Sequence, residues 1–206
     1  MNRSTRKLAL ALLAPALVAV ACAKDSDTDA GAADTTAVAA PLPAPAPAAA
    51  PAGAGTVSDA QIAAIVLAAN SVDSAGGETA LQKGTHAEVK GFAQRMVTDH
   101  GGVNRQAVAL AGRLGVTPEE SPTSRQLTQG GEQARTQMSG LSGAAFDRAY
   151  MDREVEYHQT VLDAIDQTLL PNVQNAELRA LLEQTRPAVA AHLEMAKGIQ
   201  TKLQGS

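Results

Sequence analysis

From Ser58 onward the apolar residues recur at every third or fourth position, and no stretch shows the alternation of a strand. The pattern predicts four long helices. The first opens at SDAQ, where Ser58 as N-cap and Gln61 three residues later form a capping-box signature. It runs to about Lys83 and is weakened at Gly76 and Gly77, which kink it or allow a close approach. The second spans about 86–114, with the inner stripe Val89, Phe92, Met96, His100, Val103, Ala107, Leu110 and Leu114, and Gly115 closes it. The third covers about 142–170, with the stripe Phe146, Tyr150, Glu154, His158, Val161, Ile165 and Leu169, and stops at Pro171. The fourth covers about 175–203 through Leu178, Thr185, Val189, His192, Ile199 and Leu203; Pro187 inside it predicts a kink one turn before His192. Residues 116–141 form a longer connection, with a short helix around 122–138 broken near Gly130 and Gly131, which crosses over or caps one end. These elements predict an all-α four-helix bundle of up-down order, roughly 40 Å long at about 1.5 Å per residue.

The stripes carry ionisable groups where apolar ones belong. Of the four histidines, His86 falls in the turn between the first two helices, on the solvent side. His100, His158 and His192 lie on the inner stripes of three different helices. If a core face takes three-sevenths of helical positions, that happens about one time in five by chance, so periodicity alone decides little. Height along the helices adds more. Asp73, His100, Glu154, His158 and His192 all fall near the middle of their helices, within about two turns of one another at about 5.4 Å per turn. A mid-bundle layer of three histidines and two carboxylates has the composition of a transition-metal site for copper, iron or zinc. The bland alternative is a buried polar network in which Glu154 pairs with His158 at i, i+4 and Tyr150 or Tyr157 completes the hydrogen bonding, without metal. Met96 and Met195, one turn from His100 and His192, are soft ligands by type and core filler by expectation.

The start of the chain follows another logic. MNRSTRK is basic, LALALLAPALVAVA is an apolar run too short for a convincing membrane span, and it ends at Cys22, the one cysteine of the 206 residues. This predicts a lipoprotein-type signal over 1–21 and lipidation at Cys22; an ordinary secretory peptide or an uncleaved anchor would look similar. Residues 22–56, rich in Ala, Pro and Gly, predict a disordered tether, and 57–206 the bundle domain. The formal charge is −4, and removing residues 1–21 leaves 14 Lys+Arg against 21 Asp+Glu, or −7. With no basic stripe, this argues against a nucleic-acid partner. Ala-rich surfaces leave room for a homodimer. Aromatic residues make up 2% of the chain, so the core must be aliphatic.

AEVKGFAQRMVTDH, FDRAYMDREVEYHQTVL and RPAVAAHLEMA, in that order, resemble the bacterial family of unknown function numbered 4142. The resemblance covers about residues 57–204. It implies a ferritin-like four-helix fold and a secreted or outer-membrane setting. It places His100, His158, Pro187 and His192 on the family's characteristic positions, with Asp73 where an acidic residue is usual. The segment SAGGETAL departs from the family's longer aliphatic run. Such a fold does not imply an activity. Glu-x-x-His, which carboxylate-bridged two-metal sites use, is absent, and so are a metalloprotease motif, a phosphate loop and a catalytic triad. The expectation is therefore a lipid-anchored module on the periplasmic side of the envelope that binds one transition metal. A structural or interaction protein of the envelope is the alternative, and a metal-dependent oxidoreductase ranks third.

Overall fold

The computed structural model describes residues 56–205. The segment expected as a leader, Cys22 and all but the last residue of the expected tether lie outside them. Among the described residues the elements are α1 (Asp59–Lys83), α2 (Ala87–Leu114), α3 (Pro122–Met138), α4 (Gly143–Ala164), a π-helical turn (Ile165–Leu169), α5 (Leu170–Asn172) and α6 (Ala176–Gln204), and none is a strand. No helix among them is long and apolar enough to cross a membrane.

The helix ends are written in the caps. Ser58 and Gln61 form the reciprocal capping box, each bond 3.2 Å long. Gly115 ends α2 in the left-handed region at φ 63°. Asn175 opens α6 by accepting from the amides of Glu177 and Leu178. His86, in the turn as expected, is half-buried and caps α2, its Nδ1 accepting from Glu88 N–H at 3.3 Å.

Two buried or half-buried carboxylates tie the ends across helices. Asp147 on α4 accepts from Thr85 N–H at 3.0 Å, Thr85 Oγ1–H at 2.6 Å and His86 N–H at 2.9 Å, clamping the α1–α2 turn. Asp59 on α1 accepts from the amides of Gln174 and Asn175, both at 2.9 Å, at the opposite end. These contacts set the directions of the helices. The start of α4 lies at the end where α2 starts, and the start of α6 lies beside the start of α1. The order of the four long helices is up, down, down, up. Strict alternation fails because α3 carries the chain back along α1, with Glu119 N–H bonded to Ala60 O at 3.0 Å and Lys83 Nζ to Met138 O at 3.0 Å.

Gly130 and Gly131 do not break α3. A Cβ on Gly131 would stand 2.6 Å from Val72 Cγ1, so this glycine lets α3 approach α1. Gly77 does the same for α1 against the Ala93 carbonyl of α2. Helical backbone also passes Pro171 and ends at Asn172. Pro171 has no N–H for the Gln167 carbonyl, and the turn before it widens so that Leu170 N–H reaches Ile165 O. α6 likewise continues through Pro187.

The apolar core falls into two clusters. One gathers Ile62, Ile65, Leu110, Ile165, Leu178, Leu182 and Val189. The other gathers Val89, Phe92, Met96, Phe146, Tyr150, Met151, Ile199 and Leu203. Between them each long helix carries a buried ionisable residue, beside apolar neighbours such as Val72 and Leu193.

Candidate metal centre

Asp73 on α1, His100 on α2, Glu154 and His158 on α4, and His192 on α6 occupy that gap, with relative exposures of 0 to 6%. Their ring and carboxyl positions follow from the helical stripes, which turn each into the bundle at one height. The imidazole centroids lie 5.7 Å apart for His100 and His158, 5.2 Å for His100 and His192, and 5.5 Å for His158 and His192. One nitrogen from each ring can be chosen so that all three lie within 4.8 Å of one another. The same holds for one atom each from Asp73, Glu154 and His158.

Each imidazole has one nitrogen held by an acceptor. His100 Nδ1 is 2.8 Å from Asn70 Oδ1. Asn70 Nδ2 donates to Val66 O at 2.7 Å, which fixes the amide with its oxygen toward the ring, so His100 Nδ1 carries the hydrogen. His158 Nδ1 donates to Glu154 O at 2.9 Å, and His192 Nε2 donates to Asp99 Oδ2 at 3.0 Å. In the neutral rings this leaves His100 Nε2, His158 Nε2 and His192 Nδ1 as bare lone pairs. All three are buried without a hydrogen-bond partner. His100 Nε2 and His158 Nε2 nevertheless stand 3.0 and 3.2 Å from one atom, Asp73 Oδ2. Short distances without hydrogen-bond direction, between atoms that are all electron donors, call for a positive charge among them.

The electrostatics agree. Burial would push the Asp73 carboxyl up, but His158 and His100 outweigh it and hold it well below the carboxylate range. Burial pulls His158 down to about 4, against the pull of Asp73. It also lowers His192, helped by His100 and opposed by Asp99. Glu154 is pushed well up by burial and by the neighbouring Asp73 carboxylate. Arg153 Nη1 bonds Glu154 Oε1 and lies 4.0 Å from Asp73 Oδ1, over the face of Tyr157. Its guanidinium stays charged, because Glu154 and Asp73 outweigh the desolvation that opposes it. Gly76 packs beside it: a Cβ there would stand 3.4 Å from Arg153 Nη1, at contact distance.

The structure thus brings together the five residues expected at mid-height. Met96 is buried in the neighbouring apolar cluster, as expected of core filler, whereas Met195 is 37% exposed, which corrects its placement on the inner stripe. Tyr157 donates to Ala69 O at 2.9 Å, while the buried Tyr150 hydroxyl has no partner. Asn70, Asp99 and Arg153 escaped the sequence reading. Asn70 had a signal, standing three residues before Asp73 and so on the same face; Asp99 and Arg153 adjoin His100 and Glu154 in the chain.

Fold and site define an all-α bundle whose polar mid-layer could hold a metal. The chain belongs to the family described as domain of unknown function DUF4142, whose model matches residues 44–199. Neither the curated proteins nor the solved structures give a match.

Proposed function

We propose that this chain is a metal-binding module that takes one divalent transition ion through His100, His158, His192 and Asp73. The observation that carries this reading is that the bare nitrogens of His100 and His158 face one Asp73 oxygen, with a nitrogen of His192 within 4.8 Å of one from each of the other two rings. Each ring's other nitrogen is tied to Asn70, the Glu154 carbonyl or Asp99, the support that orients metal-binding histidines. Three imidazoles with one carboxylate suit zinc, copper or iron rather than calcium or magnesium. With Cys22 lipidated, the tether would hold the module off an envelope membrane, where binding serves storage, scavenging or stress tolerance.

The rival reading is that protons alone fill the gap and the layer only fixes helix register. The two separate on metal content. The full chain, purified without a histidine tag and stripped with chelator, is titrated with zinc, copper(II) and iron(II), and bound metal is counted by mass spectrometry. One ion per chain is expected, with affinity reduced at least about a hundredfold in His100→Ala/His192→Ala. A folded chain that retains none of the three ions overturns the proposal.

A further inference from the structure

α3 packs along α1 and stands apart from α4. The space between them is a cleft of about 630 Å³. That volume lies within the range of about 300–1,000 Å³ usual for small-molecule sites. Its floor is aliphatic, formed by Ile65, Val66, Leu169 and Leu181, and its mouth is lined by amides such as Gln129 and Gln133 and by the exposed carboxylates of Glu156 and Asp163. Its inner end consists of Asp73, His100, His158 and Arg153. His192 does not line it, so the cleft meets the histidine cluster on the side that His192 leaves open.

Charge selects what that end accepts. A divalent ion and Arg153 bring three positive charges. Asp73 and Glu154 bring at most two negative ones, so the inner end is net positive and walled by apolar surface. An anion is favoured there. With Arg153 Nη1 bonded to Glu154, a carboxylate can still take the remaining guanidinium N–H groups, and it costs less to desolvate above an aliphatic floor than a doubly charged phosphate.

We propose that this cleft binds an aliphatic carboxylate, its head group at Arg153 and the metal ion and its chain along the apolar floor. The inference rests on the metal-binding reading above. It gives the module a second ligand class, so that metal and organic anion are held together.

The test uses the full chain loaded with cobalt(II), whose visible spectrum reports its coordination. Cobalt stoichiometry is measured first. Octanoate, acetate and octanol are then titrated in turn. Octanoate should alter the spectrum with an affinity at least about tenfold above that of acetate, because its methylenes leave water for the floor. Octanol should leave the spectrum unchanged. Ala164→Trp and Thr160→Trp narrow the cleft away from the histidines; each should weaken octanoate at least about tenfold at unchanged cobalt stoichiometry. Equal affinity for acetate and octanoate, no spectral response in cobalt-loaded protein, or octanoate binding indifferent to both substitutions overturns the inference and leaves metal binding standing. A chain that takes up no cobalt fails at the first measurement, which overturns the metal reading and this inference with it.

Discussion

Asn70 decides which nitrogen of His100 is bare: its Oδ1 sits 2.8 Å from Nδ1, and its own Nδ2 is committed to Val66 O. The neighbour one turn away on α1 therefore sets the tautomer of a histidine on α2. Asn70→Ala removes no ligand, yet it frees the ring to turn and to carry its hydrogen on Nε2. Metal affinity should fall about 10- to 100-fold, the usual cost of losing such support, with helix content in circular dichroism unchanged. Affinity equal to that of the parent chain would show that the ring is fixed by packing alone.

The two carboxyls of the layer should behave differently. Asp73 is held ionised and faces two bare nitrogens, whereas burial and Asp73 together favour the protonated form of Glu154. Asp73→Asn should reduce metal affinity at least about a hundredfold. Glu154→Gln, an isostere of the protonated acid, should stay within about fivefold. Metal titrations of the two variants side by side check this, and a larger loss at Glu154 would make it a ligand.

Asp147 is a structural clamp outside the metal layer. Its buried carboxylate takes three donors from Thr85 and His86, and Asp147→Ala strands them. The loss should be about 2–4 kcal/mol in urea unfolding. Affinity for metal in the folded variant should change by less than about threefold.

At Gly131 a side chain has no room, since Val72 fills the space a Cβ would take. Gly131→Ala should cost about 1–3 kcal/mol, more than the gain in helix propensity of about 1 kcal/mol returns. Val72→Ala in the same chain should recover part of it. A double-mutant cycle measures that coupling, and additivity within about 0.5 kcal/mol would mean that α3 simply shifts away.

Much of this architecture was legible because it is local. Ser58 with Gln61 and Gly115 mark helix ends within a residue or two, and position along the helices placed Asp73, His100, Glu154, His158 and His192 at one height. What stayed hidden depends on tertiary contacts. The connection over 116–141 is long enough to end at either end of the bundle, so the parallel run of α2 and α4 was not readable. Gly131 looks like a helix breaker until Val72 is placed against it. Asn70 and Asp99 are ordinary polar helix residues until a ring nitrogen on another helix meets them. No one-dimensional pattern shows which nitrogen of each histidine is left bare.

A core in two pieces has a consequence for how the bundle comes apart. The layer between Val189 and Ala196 on α6, and between Val66 and Ala80 on α1, is a seam where His192 and Asp73 interrupt an aliphatic packing that Leu193 and Val72 alone continue. Without an ion, each end keeps its own apolar cluster and its own carboxylate clamp, Asp147 at one end and Asp59 at the other, so the ends can fray independently. An ion held by Asp73, His100, His158 and His192 would rivet all four long helices across that seam, early chain to late. Amide protons near Phe92 and near Leu182 would then exchange as one cooperative unit, where in the metal-free chain they follow two separate clocks.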